Sequence, residues 1–550
     1  MQTTPPRASV TARSPLATRR RSPTARLTAA APATPDQRRV AARLTWGTLR
    51  GPAPTDDELA LIRAGLGGVV LFSRSLRERA DVRSLVGRLR AEAPGTLHVS
   101  VDQEGGHVVR LRDGFTAFPG AMAIGATRSA ALAFAAAQAS GREIAAAGID
   151  TVLAPVLDLA ADLRNPTIGS RSYGADPALV ARLGAAAVRG YLAGGVLPVP
   201  KHFPGHGRTP LDSHLSSPVV GGDMTALRRD LRPFRAALDA GAPMLMASHV
   251  RYDAVGDDLP ATLSRAVLDL ARSALGFDGV VVSDAMVMDA ITAESPVPEA
   301  CLAALVAGCD IVMALEPAPR TIDVIAGALA AGRLNARRAA EAMRRVAGLR
   351  RLVAPEPNDL SPDDLARHGS LADAIAKRSV TLAWDTGILP LAPATSIVLI
   401  DIAGRAMSPV EDRASTALST VATALVSRFR RLHVVPVSPL SPAEADAAVQ
   451  AAFQAEVVLV ATRDAFLGHA ERRLLARLAD VGRPVVRVAL HSPADLAIAP
   501  RPDAAVATYS EVAATATALA DALQLGAQAF PGRLPVALPL EEPAPEEQAG

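Results

Sequence analysis

Residues 279–284 read GVVVSD, three consecutive valines closing on a serine and an acid. A run that is apolar at every position, not at alternate ones, fits a strand buried on both faces of a helix-covered parallel sheet. Its last residue, Asp284, puts a carboxylate at the strand's end, where burial is costly unless the charge is satisfied or used. Working outward, the same signature recurs in GGVVLF (67–72), LHVSVD (97–102), TVLAPVLD (151–158), VLPVPKH (196–202), PMLMASH (243–249) and DIVMAL (310–315). Between these runs lie helical patterns such as 81–93, 129–148, 176–195 and 230–241. An earlier strand near LTWGTLRG (44–51) raises the count to eight. The expected fold class is therefore α/β, with a (β/α)8 TIM-type barrel over residues 37–350.

Polar residues collect where these strands stop: Asp102, Asp158, Lys201 with His202, His249 and Asp284. In a parallel barrel those ends open on one mouth, where active sites of this fold lie. One polar strand end would mean only contact with solvent. Five strands ending this way point to a site.

The rest of the chain reads differently. Residues 351–388 are expected to link two domains, first through acidic, turn-rich sequence and then through a helical stretch at 373–384. Strand signals return at SIVLIDI (396–402), RLHVVPV (431–437), VVLVAT (457–462), PVVRVAL (484–490) and AAVATY (504–509), with helices such as 415–429 and 510–525 between them. An open α/β sandwich over 389–541 is expected. DIAGRAMSP (401–409) holds one glycine, which excludes a dinucleotide-binding loop after the first of these strands.

The chain has 550 residues with 49% apolar, 21% charged and only 3% aromatic, a globular composition with an aliphatic core. The formal charge of +3 is uneven: residues 1–34 hold six arginines and no acid, and without them the balance is −3. The first 36 residues are expected to be a disordered basic tail and 542–550 a disordered acidic one. No nucleic-acid partner is expected, no secretory signal is recognisable, and no apolar run is long enough to span a membrane. A cytoplasmic location is expected on that basis. Cys301 and Cys309 fit no metal or redox spacing and are expected as buried free thiols.

The densest chemistry lies in KHFPGHGRTPLDSHLSSP (201–218), which proline and glycine keep from being helix or strand. Its histidines 202, 206 and 214 do not share a helical face, so no metal and no cofactor is expected there. Asp212 and His214 lie two apart on this loop. A carboxylate so placed can hold one imidazole nitrogen and leave the other to move a proton. An Asx-type turn beside a solvent histidine would produce the same spacing. Asp284 taken alone fits a nucleophile, a metal ligand or a Schiff-base partner.

Longer motifs add to this reading. VDQEGGHVVRL (101–111), APVLDLAADLRNPTIGSRSYGADP (154–177), KHFPGHGRTPLDSH (201–214), MASHVRYDAVGDDLPATLS (246–264) and GFDGVVVSDAMVMDAI (276–291) occur in order across the barrel. In these segments the chain resembles glycoside hydrolase family 3, specifically its β-N-acetylglucosaminidase branch, which acts in peptidoglycan recycling. PGRLPVALP (531–539) resembles the second domain that many members carry. The resemblance implies a retaining glycosidase with Asp284 as nucleophile and Asp212–His214 as acid/base dyad on a mobile loop. It implies sugar contacts from Asp102, Arg110, Arg171, Lys201 and His202, and a structural role for Glu104. The implied substrate is a small glycan, a muropeptide or chitin fragment, cut at a terminal β-linked N-acetylglucosamine.

Two departures stand out: Ala285 follows the nucleophile where many members have a second aspartate, and His107 stands where arginine is common. An imidazole acid/base also admits phosphorolysis, with inorganic phosphate as co-substrate, because it repels an anionic acceptor less than a carboxylate does. The same residues would suit a β-glucosidase, and a non-enzymatic carbohydrate-binding protein on a degenerate barrel is compatible with the fold. The second domain is compatible with bracing the barrel, rimming the pocket or supporting a homodimer; a monomer is equally compatible.

Overall fold

A computed structural model describes residues 32–316, 318–352, 359–404, 419–437 and 442–538. Most of the expected basic tail, residues 415–418 of one expected helix, and the acidic end 542–550 lie outside the described residues. The eight expected barrel strands are present: β1 (Thr45–Thr48), β2 (Gly68–Leu71), β3 (His98–Val101), β4 (Thr151–Val152), β5 (Leu197–Pro198), β6 (Met244–Ala247), β7 (Val280–Ala285) and β8 (Ile311–Leu315). They pair in parallel in the order β5-β4-β3-β2-β1-β8-β7-β6. The ring closes where Phe203 bridges Ala247, with Phe203 N–H donating to Met246 O at 2.7 Å and Ser248 N–H to Phe203 O at 2.9 Å.

Local signals set the crossover helices. Thr55 and Glu58 form a reciprocal capping box on helix Asp56–Arg63, and Asp176 caps Pro177–Ala193 with proline in the first turn. At the amino-terminal face, opposite the mouth, Asp310 is fully buried and paired with Arg272 at 2.7 Å, Arg338 at 2.9 Å and Arg345 at 3.2 Å. Its Oδ2 also accepts Val281 N–H at 3.0 Å, so one carboxylate ties β7 and β8 to two helices.

The segment expected to link the domains is more ordered than its sequence suggests. Helix Pro362–Ser379 is followed at once by β9 (Thr381–Asp385), which pairs antiparallel with a strand of the second sheet. The expected helical stretch 373–384 therefore divides at Val380, because Thr381, Leu382 and Trp384 fit a strand surface better than a further helical turn. The helix joins both domains: His368 Nδ1 lies 2.7 Å from Glu143 Oε1, a buried pair across to helix Ala130–Ala146.

The second sheet holds β10 (Ser396–Ile402), β11 (Arg431–Val437), β12 (Val457–Thr462), β13 (Val485–Ala489) and β14 (Ala504–Ala507). Its order is β9-β14-β13-β12-β10-β11, parallel apart from β9. Met122, Ala126 and Leu163 of the barrel share a buried apolar cluster with Leu496, Tyr509 and Val536 of the sandwich. Residues 531–538 run back along the barrel, where Arg128 Nη2 donates to Leu534 O at 2.7 Å and Ala175 N–H to Pro535 O at 3.1 Å. Both cysteines are buried and free. Among the described residues, no helix is long and apolar enough to cross a membrane.

Removing the Asp310 carboxylate leaves three guanidinium groups facing one another in a partly buried site. Asp310→Ala is expected to destabilise the barrel by about 3–5 kcal/mol, measured as a lowered thermal midpoint; an unchanged midpoint contradicts this role.

Candidate active site

The barrel mouth encloses a cavity of about 420 Å3 lined by Asp102, Arg110, Arg171, Lys201, His202, His214 and Asp284. Seven of the eight residues singled out in the sequence therefore share one wall system, and the eighth, Asp212, stands behind His214. Val70, Leu153, Met246 and Met313, on or beside the barrel strands, also line it.

Asp284 sits at the end of β7, its Oδ1 accepting Ala285 N–H at 2.7 Å. Burial alone would raise its carboxyl. The imidazoles of His202, His249 and His214 outweigh that, and its pKa falls to about 2. The group is thus an ionised carboxylate aimed into a confined pocket. His249 is held beside it, with Nδ1 2.8 Å from Thr262 Oγ1 and Nε2 3.1 Å from Ala285 O.

The loop after β5 carries the dyad. His214 Nδ1 lies 2.7 Å from Asp212 Oδ1, which also accepts His214 N–H at 2.8 Å. Asp212 resists burial by these bonds, and its carboxyl stays below the usual range. The carboxylate therefore fixes Nδ1 as the protonated nitrogen and directs Nε2 elsewhere. The loop is pinned at its start. Asp158 has no exposure and accepts His202 N–H, His206 N–H and the His202 ring. The His202 Nδ1–Asp158 Oδ2 distance is 2.7 Å, so this ring too turns Nε2 toward the cavity. Burial drops the His206 pKa to about 4 and keeps its ring neutral. Its Nε2 lies 3.0 Å from Ser213 Oγ, between the two dyad residues. The three loop histidines thus serve three different partners. Gly207 allows the loop to lie flush on the chain: a Cβ there would sit 1.7 Å from Leu159 O.

Opposite the dyad, a buried charge chain orders the cationic wall. Lys201 Nζ is 2.7 Å from both Asp102 Oδ1 and Glu104 Oε1. Arg171 grips Glu104 with two bonds, Nε to Oε2 at 2.9 Å and Nη2 to Oε1 at 2.8 Å. Burial would lower the Lys201 pKa, but Asp102 and Glu104 raise it, so the ammonium persists. Glu104 is the counter-ion that makes two adjacent cations tolerable, not a proton donor: despite its burial, Arg171 and Lys201 hold its carboxyl far below the usual range. Arg74 also lines the cavity, and sequence reading did not mark it. It lies over Phe72 at 4.8 Å and donates to Leu49 O at 3.0 Å. The arginine-rich SRSLR after β2 is the signal that could have found it.

Known proteins resemble both domains. The family model described as "Glycosyl hydrolase family 3 N terminal domain" matches residues 47–349. A "Beta-hexosaminidase" of Stenotrophomonas maltophilia (strain R551-3) is 39% identical over 259 residues, covering 46% of this chain and 77% of that protein. The solved glycoside hydrolase family 3 β-N-acetylglucosaminidase of Paenibacillus sp. str. FPU-7 superposes with a TM-score of 0.85 at 31% identity, covering 92% of this chain and 99% of its own. The β-N-acetylhexosaminidase of Beutenbergia cavernae DSM 12333 superposes at 0.53 with 35% identity, covering 57% of this chain and 97% of its own.

Deleting Glu104 leaves Arg171 without its carboxylate beside Lys201, which keeps only Asp102. Glu104→Ala is expected to cost about 3–5 kcal/mol, seen as a loss of thermal stability, with Glu104→Gln recovering part of it. Wild-type stability in both variants contradicts the counter-ion role.

Proposed function

This chain belongs to glycosyl hydrolase family 3, and we propose that it is a retaining exo-β-N-acetylglucosaminidase acting on muropeptide or chitin-fragment ends. The observation that carries the reading is one pocket holding an ionised carboxylate on a rigid strand and an imidazole oriented by its own carboxylate on a loop. Retention requires a nucleophile and a separate acid/base group, and these two differ in the way the chemistry demands.

In the first half-reaction the Asp284 carboxylate attacks the anomeric carbon, and the bond to the leaving oxygen breaks. His214 gives its Nε2 proton to that oxygen while Asp212 stabilises the ring on the Nδ1 side. A glycosyl ester on Asp284 results. In the second half the neutral His214 takes a proton from water, water attacks the anomeric carbon, and the Asp284 carboxylate leaves. Free N-acetylglucosamine is released with its β configuration retained. Asp102, Lys201, His202, Arg171 and Arg110 supply acceptors and donors for the sugar, bonds that can strengthen as the ring flattens. The names of the similar proteins favour the N-acetyl substituent.

His214→Ala is expected to slow natural glycosides by about 10²–10⁴-fold while glycosylation by a dinitrophenyl glycoside, whose leaving group needs no proton, falls far less. Equal losses on both substrates contradict His214 as general acid. In the wild-type enzyme, with all three imidazoles in place, the dinitrophenyl rate is expected to stay level as pH falls from 7 to about 4, because Asp284 ionises well below an ordinary carboxyl; a decline centred near pH 4 contradicts the low pKa. At saturating phosphate the product is expected to be free sugar. Accumulation of N-acetylglucosamine 1-phosphate favours phosphorolysis instead.

A further inference from the structure

Away from the sugar pocket, ionisable side chains gather where the sandwich meets the barrel. Arg463 and Asp464 follow β12, His491 follows β13, and Glu511 follows β14. These are carboxyl ends of neighbouring parallel strands, the edge at which open α/β sheets receive ligands. From the barrel side comes His107, at the tip of the hairpin between Gln103–Gly105 and Val108–Val109. Its ring lies against that of His491, with centroids 3.6 Å apart and planes tilted by 42°.

We propose that His107, His491 and Glu511 form a divalent-cation site of zinc type that rivets the catalytic barrel to the sandwich domain. One ligand atom from each residue lies within 4.8 Å of the others. Closing to the ~3.3 Å ligand spacing of a tetrahedral ion needs separations to shorten by at most about 1.5 Å. Two imidazoles and a carboxylate suit zinc-like ions and leave a fourth position for water.

The surroundings orient the ligands. His491 Nδ1 lies 2.9 Å from Asp464 Oδ2, the carboxylate support that aims Nε2 at a metal. That Nε2 is already 3.2 Å from Glu511 Oε1. Glu511 is held from behind by Arg463 Nε on Oε2 at 2.7 Å, which turns Oε1 toward the histidines. Asp401, Asp464 and Glu511 outnumber Arg463 around the rings, a surplus of negative charge that favours a cation there, and a bound metal ion would displace the proton that Asp464 and Glu511 favour on His491. His491 is buried, while His107 and Glu511 are partly exposed and give the ion a way in. The hairpin that carries His107 runs from Asp102 to Arg110, so the ion would brace two cavity-lining residues without entering the chemistry.

The full chain, stripped with a chelator and dialysed, is titrated with zinc and, separately, with cobalt(II). About one tightly held equivalent is expected, together with a raised thermal midpoint and the intense visible bands of four-coordinate cobalt. His107→Ala and Glu511→Gln are expected to lose those bands and at least tenfold in affinity. Circular dichroism identifies a variant that has not folded, in which case the wild-type cobalt spectrum and the other variant decide. Absence of tight binding, a six-coordinate cobalt spectrum, or equal binding by folded variants overturns the proposal.

Discussion

A carboxylate shut away from water organises the mouth of this barrel. Asp158 accepts the backbone N–H groups of His202 and His206 together with the His202 ring. Its burial would raise its pKa, but those histidines more than offset the cost, and the group stays charged. An unpaired charge at that depth would cost several kcal/mol, so the loop has little choice but to begin as it does. From this anchor the rest follows in sequence. The His202 ring faces the cavity, Lys201 beside it reaches Asp102 and Glu104, and the neutral His206 ring meets Ser213 in the middle of the dyad.

This arrangement supports the site residues in two different ways. Asp284, Lys201 and Arg171 stand on strand ends or in a buried ion chain. His214 rides on a loop with exposed apolar neighbours, Leu211 at 49% and Leu215 at 63% exposure. In the proposed mechanism a nucleophile gains from immobility because attack needs a fixed approach, whereas the acid/base must serve a departing alcohol in one step and an incoming water in the next. The sandwich domain shares an apolar core with the barrel and sends residues 531–538 back across it.

Much of this was legible in the chain itself. Strands buried on both faces advertise themselves as unbroken apolar runs, and the residues that follow them must share one end of a parallel barrel; Asp284, Lys201 and His202 were found in this way. The Asp212–His214 pairing was legible because its partners are local. What stayed hidden depends on contacts distant in sequence. Asp158 was visible as a polar strand end, but nothing local says that it holds residues 202 and 206. Arg74 was signalled only by its place in SRSLR just after β2, because its contacts to Phe72 and Leu49 are not visible in sequence. Strand β9 was hidden because Thr381–Asp385 directly follows a long helix and is recruited by a sheet formed more than a hundred residues later.

The central claim is that Asp284 becomes covalently attached to the sugar. Incubation with a 2-fluoro glycosyl fluoride slows the second step more than the first, and peptide mapping then locates the adduct. The account predicts a label on Asp284 within GVVVSDA, lost in Asp284→Ala. A label on another carboxylate, or turnover unchanged in Asp284→Ala, would contradict it.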